Sequence, residues 1–304
     1  MNDAKTKISN TLFNNRQLFL RYNQFKIQRI QETLSPVDRA VFTIIPRLLH
    51  INQKDLPGYI QDDVPSGIYN FRINQECQLA AEQLFPDIVL RGGENHQIFI
   101  HTLLLMGSTG SIAQSQKSDL DFTLFVNKKS VSPQRLALFE QKLRLIEEWT
   151  WTHFKLEIHF FNNDILDVKN NIFGESDSES TGSAQAKLLK EEMYRTAVIT
   201  AGKTPFWWIV PLKTDDRLYE SLVHLVKTHQ TLLNPDEFVD TGNVDDISQG
   251  EFFGGSIWTL IKSFKAPFKT LIKMGLLEEY TFSNTQSNLL CHDIKKKVFS
   301  GTPY

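Results

Sequence analysis

Two aspartates, Asp119 and Asp121, stand one residue apart in the stretch MGSTGSIAQSQKSDLDFTLFV, residues 106–126, and a Gly-Ser pair, Gly107 and Ser108, precedes them. The segment after Ser118 alternates. Asp119, Asp121, Thr123 and Phe125 fall on one face of a strand, and Leu120, Phe122, Leu124 and Val126 on the other. Two carboxylates that close repel each other unless a positive charge lies between them. A divalent cation answers that need, and Mg²⁺ (or Mn²⁺) takes one or two carboxylates together with phosphate oxygens. Gly107 lets a phosphate approach the backbone, and Ser108 offers it a hydroxyl and an N–H. The competing reading is a plain Gly-Ser turn before a solvated edge strand.

A third acid fits the pattern. Residues 154–161, FKLEIHFF, alternate as a strand, with Phe154, Leu156, Ile158 and Phe160 on a core face and Lys155, Glu157, His159 and Phe161 opposite. A strand, a helix and a second strand would bring Glu157 beside the aspartates. Three carboxylates can hold two divalent ions about 3.5–4 Å apart, one activating an attacking hydroxyl and one stabilising the departing phosphate. The alternative for Glu157 is a strand-face acid paired with Lys155 or a neighbour.

The elements that must position these groups are legible in part. Residues 98–106 form an apolar strand running into Gly107. Residues 5–34 form a helix whose basic side (Arg16, Arg21, Lys26 and Arg29) reads as a solvated face. Ser35-Pro36 caps a second helix that Pro46 should bend or interrupt. A loop over 54–67, a helix over 72–85 and a turn at Arg91-Gly92-Gly93 follow. Ser132-Pro133 opens a helix carrying Leu136, Phe139, Leu143, Ile146 and Trp149 at helical spacing. Residues 162–184 are polar, and GESDSESTGS (174–183) has the composition of a flexible loop. Residues 187–203 read as helix, 206–211 as a short apolar strand or buried turn, and 215–233 as helix. Residues 256–280 read as a helical pair broken near Pro267 and Gly275, and 293–298 as a basic helix.

The chain has 304 residues, 41% hydrophobic and 22% charged, with a formal net charge of -2. That balance suits a globular domain with a real core and argues against a bulk nucleic-acid partner. Its 22 phenylalanines imply an aromatic core. The two cysteines, Cys77 and Cys291, form no CxxC or Cys/His cluster, so neither a disulfide framework nor a zinc site is expected. The N-terminal residues lack the apolar run of a signal peptide, and no apolar stretch is long enough for a membrane span. The expected compartment is the cytoplasm.

Gly-Ser after a strand, then D-apolar-D, then an acid on a later strand resembles the polymerase-β-type nucleotidyltransferase superfamily. MGSTGSIAQSQKSDLD, LEIHFF, MYRTAVITAGK (193–203) and FFGGSIWTLIKSFKAPFKTLIKMGLLEEY (252–280), with LPGY (56–59) and VPSGI (64–68) upstream, resemble successive blocks of the class I adenylate cyclases of proteobacteria. The resemblance covers about residues 35–300 in order. It implies an α+β fold, a nucleotidyltransferase-type mixed sheet flanked by helices. Residues 1–90 would be a helical N-terminal segment, 91–212 the catalytic core and 213–304 a helical C-terminal segment. It implies conversion of ATP to cyclic AMP and pyrophosphate, with Gly107 and Ser108 on phosphate and Asp119, Asp121 and Glu157 on metal. Arg195 and Lys203 match basic positions that would hold the triphosphate, although Arg195 could instead pair with Glu191 one turn earlier. The 171–186 stretch matches the family loosely. Chains of the family continue past this point into a region linked to regulation by sugar transport, so the resemblance implies a regulatory partner or a C-terminal region missing from this chain, which would be a truncated form, a split gene product or a degenerate stand-alone copy. Other readings are AMP transfer to a protein or small-molecule hydroxyl, and a non-catalytic nucleotide-binding module.

Overall fold

The computed structural model describes residues 2–90, 98–111, 114–115, 118–173, 184–229, 233–244, 246–264, 267–282 and 289–301. The expected turn at Arg91-Gly92-Gly93 and the expected flexible loop 174–183 lie outside those residues.

Two helices open the chain, α1 (Asn2–Thr33) and α2 (Pro36–His50). Ser35 caps α2 by accepting from the Asp38 N–H, and Pro36 takes the first turn, where no N–H is needed. Pro46 does not interrupt α2; the buried helix runs on to His50 with the proline inside it. A short strand, β1 (Ser66–Ile68), lies at the end of what reads as a loop, and α3 (Gln75–Leu84) follows it under an Asn74 cap.

The sheet is mixed and five-stranded. Its centre is β2 (Ile98–Met106) paired antiparallel with β3 (Leu120–Val126). The helix α4 (Pro133–Phe154), capped by Ser132, then crosses over to β4 (Ile158–Asp164), which lies parallel to β3. The strand β5 (Val198–Gly202) is antiparallel to β2 and shares one edge of it with β1. Thus β3 lies between two strands, which removes the solvated-edge reading.

Two expectations fail at element boundaries. Residues 154–157 are not strand: α4 extends through Phe154, which packs edge-on against Trp149 at 5.1 Å. Lys155 then ends the helix in the left-handed region, φ 57°. Residues 187–203 are not one helix. The helix α6 (Ala184–Thr196), which follows the short α5 (Ile165–Lys169), stops at Thr196, and the β-branched run Val198, Ile199 and Thr200 enters the sheet as β5.

Both sheet faces are covered. Leu103, Leu105, Leu120, Phe122 and Leu124 pack on α2, α3 and α4. Leu104 and Phe125 face a second core built from Leu12 and Phe19 of α1, Met193 and Tyr194 of α6, and the buried turn at Trp207 and Trp208. A two-residue strand, β6 (Thr204–Pro205), leads into that turn, α7 (Asp216–Thr228) follows, and β6 pairs with β7 (Phe238–Val239). The C-terminal helices are α8 (Phe252–Ile261), α9 (Pro267–Phe282) and α10 (Leu290–Ser300). Gly275 does not break α9, and α10 joins the second core through Cys291 and Val298.

The basic side of α1 is only partly a solvated face. Lys26 is buried and donates to the carbonyls of Thr196 and Ala197, while Arg16 pairs with Glu237 at 3.1 Å. No helix among the described residues is long and apolar enough to cross a membrane.

Candidate active site

The strand β2 delivers the chain into Gly107, whose φ of +89° is a left-handed conformation that a side chain would strain. A Cβ placed there would lie 3.7 Å from Asp121 Oδ2, so the turn faces that carboxylate directly. The Gly107 N–H donates to Thr196 Oγ1 at 3.0 Å, and that hydroxyl donates to the Glu192 carbonyl at 2.7 Å. The last turn of α6 therefore fixes the Gly-Ser turn. The Ser108 carbonyl accepts from the Ser111 N–H and hydroxyl, at 3.0 and 2.6 Å. The buried Thr109 hydroxyl donates to the Asp119 carbonyl at 3.1 Å, tying the turn to the start of β3.

Register sets the carboxylates. Asp121 pairs across β2 with Met106 and across β4 with His159. Leu120 pairs with Ile158, and its N–H donates to the Glu157 carbonyl at 3.0 Å, so Asp119 and Glu157 are neighbours at the sheet's end. Burial pushes the Asp121 carboxyl from 3.8 up to about 6, and the charge of Asp119 adds to the rise.

The Glu157 side chain turns to His159, with Oε1 and Nε2 at 3.0 Å. Burial works to lower the His159 imidazole. The bond to Glu157 and the charges of Asp121 and Glu147 outweigh it and hold the ring above its ordinary range. Glu147 enters from α4, where its carboxylate accepts from the Phe160 N–H at 2.6 Å. Among the described residues no group of three or more His, Cys, Asp or Glu side chains is arranged to hold a metal ion. Asp119 and Asp121 share a face, while the Glu157 carboxylate is bonded to His159.

A divalent cation fits the remaining pair. Asp121 faces Gly107 on one side and a like charge on the other, and a carboxylate pair beside a phosphate-ready turn is the donor set Mg²⁺ accepts.

The two expected triphosphate cations stand differently to this turn: Arg195 directly precedes Thr196, which accepts the Gly107 N–H, and Lys203 lies farther off. Arg195 Nε bonds both oxygens of Glu191, at 3.1 and 3.2 Å. Glu191 is buried and also accepts from the Cys291 N–H at 3.1 Å, so this pair joins α6 to α10. Lys203 follows β5, where Gly202 pairs with Thr102 and the Lys203 N–H donates to the His101 carbonyl. That is the far end of β2 from Gly107, about 20 Å away at roughly 3.3 Å per residue. Its ammonium lies over the Tyr69 ring at 3.8 Å and lines a cavity of about 320 Å³ that Phe206 and Phe238 also line.

His159 and Glu147 were not singled out from the sequence. His159 does share the alternating face with Glu157, which was the available signal. Glu147 sits on a helix that gives no hint of β4.

A glycine turn held against a pair of carboxylates on the central strands of a mixed sheet can accept an anionic group together with a cation. The family model "Adenylate cyclase NT domain" matches residues 11–208, and "Adenylate cyclase, class-I, second domain" matches 247–304. The chain belongs to the class-I adenylate cyclase family. It is 33% identical over 285 residues to an adenylate cyclase of Yersinia pestis. It is 32% identical over 281 residues to those of Salmonella typhimurium and Escherichia coli strain K12. Each comparison covers 92% of this chain and 33% of the relative, so the chain spans about a third of the length of these curated relatives. A solved spectinomycin adenyltransferase from Enterococcus faecialis is 14% identical, covering 66% of this chain and 92% of that one, with a TM-score of 0.28, too weak a likeness to establish a shared fold.

Proposed function

We propose that this chain converts ATP to 3′,5′-cyclic AMP and pyrophosphate at the site formed by Gly107, Ser108, Asp119 and Asp121, with Glu157 and His159 beside it. The observation that carries the reading is the approach of the glycine turn to the Asp121 carboxylate, in a chain of this family. In the reaction the ribose 3′-oxygen bonds to the α-phosphorus, the bond from that phosphorus to the β-phosphate oxygen breaks, and the hydroxyl proton is released. Gly107 allows phosphate to approach the backbone, and Ser108 donates its hydroxyl to it. Asp119 and Asp121 would hold Mg²⁺ or Mn²⁺, which when bound neutralises phosphate charge and acidifies the attacking hydroxyl. His159, held toward its charged form by Glu157, adds positive charge beside Asp121. The substrate would be drawn from the ATP of the cytoplasm.

Labelled ATP incubated with the purified chain and Mg²⁺ or Mn²⁺, followed by chromatography, tests this reading. Cyclic AMP with equimolar pyrophosphate is the expected outcome, and Asp121→Asn should lower it by at least about a hundredfold. AMP appearing on an added protein or small-molecule hydroxyl, with no cyclic AMP, would replace the cyclase reading with the transferase one.

A further inference from the structure

A triphosphate brings several negative charges to a site that already holds two aspartates. Arg195 is committed to Glu191, and Lys203 is at the other end of β2. The C-terminal helices bring another cation. Lys269 and Lys273 lie four residues apart on α9 and so share one face of it. Lys273 Nζ bonds both oxygens of Glu192, at 3.0 and 3.2 Å. Glu192 is one turn before Thr196, the residue that accepts the Gly107 N–H. This clamp fixes α9 beside the end of α6 that holds the phosphate turn. Leu277, one turn after Lys273, and Leu188, one turn before Glu192, meet at Gly255, so the two helices run antiparallel and one turn toward the start of α9 from Lys273 corresponds to one turn toward Gly107 from Glu192. Lys269 stands at that step, exposed.

We infer that Lys269 holds a β- or γ-phosphate oxygen of the nucleoside triphosphate at the Gly107–Asp121 site, so that the second-domain segment completes a site begun by the N-terminal domain. The inference rests on the reading of that site as an ATP site. It assigns Lys269 to binding, through a charge-assisted bond to phosphate. Lys273 positions the helix through Glu192.

Calorimetric titration of the full chain with ATP and with AMP, each with Mg²⁺, tests it. Lys269→Ala should weaken ATP binding roughly ten- to a hundredfold, the size of a charge-assisted hydrogen bond. Binding of AMP, which lacks the β- and γ-phosphates, should stay unchanged, and Lys269→Arg should keep most of the ATP affinity. In turnover, the loss should fall mainly on KM. Equal ATP affinity in Lys269→Ala and wild type would overturn the inference and leave the proposed function standing. An equal loss for ATP and AMP would also overturn it, because it would mark a structural role. Wild-type chain that binds no ATP at all would instead overturn the ATP site itself, and the inference with it.

Discussion

Asp121 holds its proton more tightly in the folded chain than an ordinary aspartate does, because burial and the charge of Asp119 both oppose ionisation. The folded carboxyl titrates near 6 against 3.8 when unfolded. Between those values the folded state binds more protons, so this group's contribution to stability falls as pH rises from about 4 to about 6. Removing the charge should reverse that loss. In EDTA, Asp121→Asn is expected to melt higher than wild type at pH 7 and close to wild type at pH 4, with circular dichroism as the measurement. An unchanged difference across that range would show that Asp121 is not under electrostatic strain. At this scale the Gly-Ser turn and the aspartate pair were legible, since each rests on local chemistry and a two-residue period. Glu157 was legible as a neighbour of Asp119. Its bond to His159 was not, because periodicity gives a side chain's face and leaves its partner open.

At the scale of elements, the last turn of α6 is the part that shapes the site. Thr196 ends the helix, accepts from Gly107 and passes the hydrogen bond on to the Glu192 carbonyl. Thr196→Val keeps the shape of the side chain and removes the acceptor. It should cost about 1–3 kcal/mol of stability, the usual penalty for leaving a donor such as the Gly107 N–H without its acceptor. The larger effect should be a rise in KM for ATP, since the turn loses its brace, and urea melts beside steady-state kinetics would separate the two. The β2–β3–α4–β4 order was legible from the apolar runs and the Ser132-Pro133 cap. The division between α6 and β5 was not. The stretch reads as one helix because its apolar positions continue past Thr196, and pairing with β2 is a long-range fact that overrides local propensity. β1 escaped notice for a related reason: it has three residues and exists by pairing with β2.

Across the whole molecule, buried lysines join distant segments. Lys26 donates to the Thr196 carbonyl, Lys142 to that of Ile51, Lys190 to that of Lys169 and Lys295 to that of Trp207. Burial lowers Lys26 and Lys295 to about 7 and Lys142 to about 8. Unfolded, each binds its proton up to its ordinary 10.5, so above about 7 the unfolded state carries more protons and these groups add stability as pH rises. The buried thiol of Cys291 and the hydroxyls of Tyr194 and Tyr280 act the other way, because burial raises them and the unfolded chain ionises first. Three lysines gain against one thiol and two hydroxyls whose ordinary values are 9.0 and 10.0, so stability should rise from pH 7 and turn over only as pH nears about 10. Urea melts through that range would show the maximum, and Lys26→Met should flatten the rising side.

The bond from Lys26 to Thr196 spans 170 positions of sequence. A ribosome adding roughly 5–20 residues per second needs about ten to thirty seconds to make that distance. For that interval Lys26 of the first helix is without the carbonyl it donates to, and the Gly107 turn waits on the same residue. The first helix is thus made well before the segments it docks against, and it must wait for them during synthesis.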